Sequence, residues 1–270
     1  MSQKKFWTIG QIDATGVRGP HEKELDDISK RNYPLFINLD KDLLENIVYN
    51  ELGGKIENIG FNEDWTISLK MFPEVNIHLS YSYFGDEFGD DIEAEFKFYF
   101  TGERVFWIPG EDTATFIDIV MDIIERNIKK QEPFERNYNT KTELMKNVLK
   151  QRSEPFTFLK EQDRENLSTF IGAEVLKEAN GWQIKKQFFP EIFIEIYWNK
   201  KKDLDIKFSG NNLSKNIDSY HIEFIGIFLI NHIIRFITVN NFNKILPDIC
   251  YIMFSRYYSK NIGKWDHRVR

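Results

Sequence analysis

The sequence predicts an α+β protein: a tandem repeat of two helix–three-strand–helix modules with antiparallel sheets. Two observations carry this. Apolar residues pass from helical spacing to strict alternation and back to helical spacing, twice along the chain. The same short motifs also recur in the same order in two segments of roughly 90 residues.

Residues 1–33 are read as a lead-in and 34–130 as the first module. Leu43, Leu44, Ile47, Val48 and Leu52 follow a helical stripe, and Gly53-Gly54 stops it because glycine accepts the left-handed cap conformation. Trp65, Ile67 and Leu69 then alternate, followed by Val75, Ile77, Leu79 and Tyr81. Phe96, Phe98 and Phe100 alternate with Glu95, Lys97 and Tyr99, completing three strands with one buried face each. Pro73 lacks a donor and marks the turn or edge entry between the first two strands. The polar run Gly85–Asp91 is the next connection. Pro109-Gly110-Glu111-Asp112 opens the closing helix of Phe116, Ile117, Ile119, Val120, Ile123 and Ile124, with its carboxylates at the positive end of the helix dipole.

Residues 131–154 read as a helical linker carrying Leu144, Met145, Val148 and Leu149, and 155–239 as a second, diverged module. Phe156-Thr-Phe-Leu echoes Phe36-Ile-Asn-Leu, and Ile171-Gly172-Ala173-Glu174-Val175 echoes Leu52-Gly53-Gly54-Lys55-Ile56. Trp182-Gln-Ile184 answers Trp65-Thr-Ile67, and Phe189-Pro190-Glu191-Ile192 answers Phe72-Pro73-Glu74-Val75. Leu204-Asp-Ile206-Lys207-Phe208 parallels Ala94-Glu-Phe96-Lys97-Phe98. Asp218-Ser219 starts the last helix, Ile222–Ile237, whose apolar circumference predicts deep burial. The two sheets either fuse about a pseudo-two-fold axis, which covers two liable edges and is slightly favoured, or stay separate. Residues 240–270 form an aromatic and basic C-terminal helix and tail.

The net charge is −6, divided as −13 over residues 1–135 and +7 over 136–270. Such asymmetry fits attraction between the halves, a head-to-tail dimer, or an acidic partner for the basic part. Cys250 is the only cysteine, which excludes an intrachain disulfide and a cysteine-held zinc or iron–sulfur site and fits a reducing compartment. The first residues hold no apolar run of signal-peptide length, and Ile222–Val239 is interrupted by Glu223, Asn231, His232 and Arg235, so a cytoplasmic protein without a membrane span is expected.

The Leu52-Gly-Gly-Lys55 run, Phe72-Pro73-Glu74-Val75, Asp86-Glu87-Phe88, the Ala94–Phe98 strand and Pro109-Gly110-Glu111-Asp112 together resemble a bacterial and archaeal family known only as a domain of unknown function. The likeness covers roughly residues 52–125, with the second copy a weaker echo that lacks the Asp-Glu-Phe turn. Asn76 and Gly89 stand where the family's motifs carry proline, and Tyr99-Phe100-Thr101 stands for its Leu-Phe-Asp strand end. The resemblance implies the module layout and no activity.

Asp86, Glu87, Asp90, Asp91, Glu93 and Glu95 crowd six carboxylates into one segment. A solvated strand connection, a metal site and an acid–base pair are the competing readings. The spacing misses the calcium-loop framework, and an acid–base pair needs one buried carboxyl. The histidines are scattered, and His78, alternating away from Ile77 and Leu79, is expected on an exposed strand face. No phosphate-cradling glycine loop or nucleophile elbow is present.

The expected function is that of a soluble, non-catalytic binding or assembly protein with a protein partner or self-association, without cofactor, resident metal or membrane, using Asp86, Glu87, Asp90, Asp91, Glu111 and Asp112. One alternative is a metal-dependent enzyme using the acidic 86–95 loop with Glu111 and Asp112. Another is nucleic-acid binding through Arg256, Tyr257, Lys260, Lys264 and Trp265, where rings stack on bases beside cations, although the net negative charge opposes it.

Overall fold

A computed structural model describes residues 5–14, 19–85, 93–135, 137–201 and 203–261, the side chains of 260 and 261 excepted. The chain is α+β and divides into two compact units, Met1–Gln131 and Glu132–Arg270.

The first unit contains α1 (Ile9–Ile12), α2 (Pro20–Asn32), α3 (Lys41–Asn50), β1 (Lys55–Glu57), β2 (Trp65–Phe72), β3 (Val75–Tyr83), β4 (Ala94–Thr101) and α4 (Gly110–Ile128). Its strands form an antiparallel sheet in the order β1-β2-β3-β4. Both α2 and α3 pack on α4. Ile67, Leu69, Ile77, Leu79, Phe98 and Phe100 are buried on one face of the sheet, as alternation requires. At Gly54, a Cβ would lie 2.4 Å from Leu69 Cδ2 and 3.3 Å from Val48 Cγ1, which places α3 on that same face.

The second unit contains α5 (Glu143–Arg152), α6 (Arg164–Ile171), β5 (Glu174–Glu178), β6 (Gly181–Phe189), β7 (Ile192–Asn199), β8 (Leu204–Ser209), α7 (Leu213–Asn216), α8 (Ser219–Asn240) and α9 (Arg256–Asn261). Its sheet has the order β5-β6-β7-β8, again antiparallel. Asp218 caps α8 by accepting from the N–H groups of Tyr220 and His221 at 2.7 and 2.8 Å. Gly226 lets α8 lie against β8, since a Cβ there would meet Ile206 Cδ1 at 2.5 Å and Phe208 at 3.1 Å. Among the described residues α8 alone is long and apolar enough to cross a membrane, and 89% of its apolar window is buried within the protein. Its polar groups have assigned places: Glu223 accepts from Thr142 N–H at 2.8 Å and from the Thr142 hydroxyl, Arg235 Nε donates to Met253 C=O at 2.6 Å, and the His232 ring stacks on Phe170.

Several expectations are corrected. Each sheet has four strands rather than three, because β1 and β5 are short and carry no apolar alternation. The sheets are separate rather than fused. The segment expected as a linker contributes α5, which packs on α8 inside the second unit. The lead-in forms α2, which packs on α4. After α8, the described chain runs through turns into the six-residue helix α9.

The two units share details below the level of element order. The tight turn Phe72-Pro-Glu-Val75 holds Glu74 at φ 60°, and Phe189-Pro-Glu-Ile192 holds Glu191 at φ 56°. A bulge precedes each turn, between Lys70 and Phe72 and between Gln187 and Phe189. Gly102 (φ 116°) and Gly210 (φ 131°) end the fourth strands, where a Cβ would fall 2.2 Å from Glu74 O and 1.9 Å from Glu191 O. The strand register sets Tyr99 opposite His78 and Lys207 opposite Glu195. Lys207 therefore matches Tyr99 by place, and Ile206 matches Phe98, two residues along from the motif alignment.

Candidate binding cleft at the edge of the first sheet

The face of the first sheet turned away from α3 carries Thr66, Ser68, His78, Ser80 and Thr101, all buried. Ser68 Oγ lies 2.6 Å from His78 Nδ1, and His78 Nε2 lies 2.8 Å from Thr101 Oγ1. A neutral ring donates through one nitrogen and accepts through the other, so two hydroxyls satisfy it. His78 is 1% exposed, which corrects the expected exposed position. Phe6 explains the change: its ring stands edge-on to His78 at 5.2 Å and to Tyr99 at 6.1 Å, while Phe61 stacks on Tyr99 at 4.6 Å. The loop carrying Phe61 is held by the Glu63 carboxylate, which accepts from the N–H groups of Ile59, Gly60 and Phe61. Burial pushes the Glu63 carboxyl up, and these main-chain donors outweigh it, so the group titrates below its ordinary range.

The same N-terminal segment reaches the free edge of the sheet. Trp7 and Phe100 exchange both main-chain hydrogen bonds, each 2.9 Å. Phe100 therefore points its N–H and C=O away from β3, and the period of two along β4 turns those of Phe98 and Phe96 the same way. Phe96 N–H donates to Ser29 Oγ of α2 at 2.8 Å. Between these two covered points, the N–H and C=O of Phe98 bond no other described residue.

That gap opens into a cleft of about 480 Å³ between β4, α1 and α2. Its walls are Thr8 and Ile9, then Glu22, Leu25 and Asp26, and the strand residues Glu95 to Tyr99. The volume lies within the roughly 300–1,000 Å³ of small-ligand sites. The local sequence fixes these walls. Gln11 Oε1 accepts from Thr8 N–H at 2.9 Å, and Pro20 at the first position of α2 presets its dihedral. Glu22 accepts from Gly19 N–H at 2.8 Å, closing the first turn of α2. Asp13, 8% exposed, accepts from Gly110 N–H at 3.1 Å and so ties the end of α1 to the start of α4. Glu95 and Lys97 pair at 2.6 Å, and this contact raises the Lys97 ammonium pKa. Burial raises the Tyr99 phenol. Among the described residues, the cleft is lined by the main-chain N–H and C=O of Phe98, the side chains of Glu22, Asp26 and Glu95, and the Lys97 ammonium.

Asp86, Glu87, Asp90 and Asp91 lie outside the described residues. Glu111 is exposed and Asp112 buried, both in the first turn of α4. Among the described residues, no three His, Cys, Asp or Glu side chains gather as a metal would require. In the tail, Arg256 is exposed and Tyr257 half-buried, whereas the side chain of Lys260, and Lys264 and Trp265 altogether, lie outside the described residues. Tyr251, Phe254 and Tyr258 are buried, and Phe254 stacks on Tyr258 at 4.7 Å, so these rings are turned inward rather than offered to bases. Cys250 is also buried, and burial pushes its thiol up to about 12.

Sequence reasoning missed Glu22, Asp26, Ser29 and the main chain of Phe98. The i, i+4 spacing of Glu22 and Asp26 around Leu25 put both carboxylates on one side of α2, a signal present in the sequence. No side-chain pattern signals an unpaired main-chain group. The chain matches no family model, no curated protein and no solved structure.

Proposed function

We propose that this protein is a non-catalytic binding or assembly protein, built by duplication of one module, whose first unit takes a polypeptide partner by strand addition at the edge of β4. The observation that carries the reading is the open N–H and C=O pair of Phe98 inside a walled cleft. An exposed strand edge is a template for another chain, and folded proteins cover or blunt it unless pairing is its use. Here the edge is covered on either side, at Phe100 by Trp7 and at Phe96 by Ser29, which restricts pairing to one place and one register. Duplication is supported by the repeated Pro-Glu turn, the repeated bulge and the repeated glycine behind each turn, none of which an antiparallel sheet requires.

Amide hydrogen exchange of the intact chain tests the strand reading. The Phe98 amide is expected to exchange much faster than those of Lys97 and Tyr99, which bond within the ladder, and to slow when a neutral alternating Thr/Val hexapeptide is added at millimolar concentration. A Phe98 amide already as slow as its neighbours in the free protein would remove the reading.

A further inference from the structure

The segment ahead of α1 is docked on the sheet in the manner of a very short strand. Trp7 and Phe100 pair as residues of an antiparallel ladder do, and among the described residues no other bridge joins the segment to β4. Its side chains alternate as a strand's do: Phe6 stands edge-on to His78 on one side of the sheet, and Trp7 packs on Phe106 at 4.6 Å with Lys5 Nζ 3.8 Å over its ring. Lys5 is exposed, and Phe6 and Trp7 are only half-buried. Thr8 ends the segment as the N-cap of α1, whose Ile9 and Ile12 are buried, so residues 5–7 are the part that can leave the edge without unseating α1.

The second unit shows what the frame requires. Phe208 stands in the place of Phe100, and among the described residues no bridge or main-chain hydrogen bond covers the outer edge of β8 there. That sheet is complete without an added strand, so the frame itself does not need the Trp7 bridge. An incoming antiparallel strand that pairs with Phe100 and Phe98 makes four main-chain bonds where Trp7 makes two. Ser29 stays on Phe96 and sets the far end of that pairing.

We infer that residues 5–7 are an autoinhibitory strap, which stands in for the partner strand at Phe100 and is displaced when the partner polypeptide binds. The inference rests on the strand-addition reading above and adds its regulation. Strap and partner compete for one N–H and one C=O, so the apparent affinity for the partner is reduced to the fraction of molecules in which the strap is undocked.

The test follows amide hydrogen exchange of the full chain as the neutral Thr/Val hexapeptide is raised to millimolar concentration. The peptide is expected to speed exchange of the Trp7 amide about tenfold while it slows that of Phe98. In parallel, anisotropy of the labelled peptide compares the unaltered chain with Trp7→Pro, which takes away the donor to Phe100 C=O. Trp7→Pro is expected to bind about tenfold more tightly, with thermal melting as the check on folding. Trp7→Ala keeps the N–H, loses the ring contact with Phe106, is expected to gain about threefold, and serves if the proline variant does not fold. Binding seen only in the variants supports the strap. Slowing at Phe98 with no change at Trp7 overturns it and leaves strand addition standing, and so does an affinity that is unchanged or weaker in a folded variant. Absence of binding by the unaltered chain and both variants overturns strand addition as well.

Discussion

The two sheets place different chemistry at the same point of the same frame. Three residues beyond its tight turn, the first sheet carries His78 and the second Glu195; opposite them stand Ser68 and Lys185. In the first unit the part of this face around His78 lies under Phe6 and Phe61, and the His78 ring there is hydrogen-bonded to the hydroxyls of Ser68 and Thr101. In the second unit the connection between β5 and β6 shrinks to Ala179-Asn180, and the face carries ions: Glu195 accepts from Lys185 at 2.9 Å and from the Tyr197 hydroxyl, while Lys207 lies 5.0 Å over the Tyr197 ring. The contrast follows from solvation. A neutral hydroxyl–imidazole chain can be buried when each group is paired, whereas buried ions carry a desolvation penalty that water removes at an open face.

The largest effect tests the shared frame. Gly102→Ala and Gly210→Ala each force a Cβ onto main-chain atoms at a positive φ, and each is expected to destabilise its own unit by roughly 2–4 kcal/mol in urea unfolding. A loss in one unit and none in the other would break the equivalence of the turns.

The next effect tests the contrast itself. His78→Ala leaves two buried hydroxyls without their partner and is expected to cost about 2–3 kcal/mol. Glu195→Ala, at the matching place, leaves groups that water can reach and is expected to cost under about 1 kcal/mol. Equal losses would mean that the second face is covered by something that solvates it as poorly as the first.

A smaller effect sharpens the comparison through pH. The folded Glu63 carboxyl is held lower than in the unfolded chain, so it contributes stability that is complete above the unfolded value of about 4.3 and is lost as pH falls through the folded value. Glu63→Gln is expected to flatten the acid limb of stability against pH for the first unit and to loosen the loop that carries Phe61. Glu195 is lowered as well, first by the Tyr197 hydroxyl and then by Lys185, with burial opposing. Water screens that site, and Glu195→Gln is expected to change the acid limb of the second unit less. Urea midpoints measured from pH 3 to pH 6 compare the two directly.

Much of the frame was legible before any coordinates. The alternation of Trp65 to Tyr81 and its echo from Trp182 to Trp198, the two Pro-Glu turns, the helix start at Pro109-Gly110 and the cap at Asp218 are all local signals, since spacing alone decides which side chains share a face. The short strands β1 and β5 were not legible, because three to five residues without alternation resemble any connection until a neighbour pairs with them. The shared placement of α2 and α5, each ahead of the next helix and its sheet and each packed on the longest helix of its unit, was hidden by sequences that share no motif.

By itself, the sequence determined the α+β class, the order of the long strands, the turns and the inward face of each sheet, because these follow from residue-by-residue periodicity and main-chain conformation. Only the tertiary structure decided that His78 is buried, that Phe6 and Phe61 cover one sheet face, and that no described residue pairs with the main chain of Phe98 between Trp7 and Ser29. Cover and exposure are set by residues far apart in the chain: Phe96 meets Ser29 across 67 positions, and no local pattern records that distance.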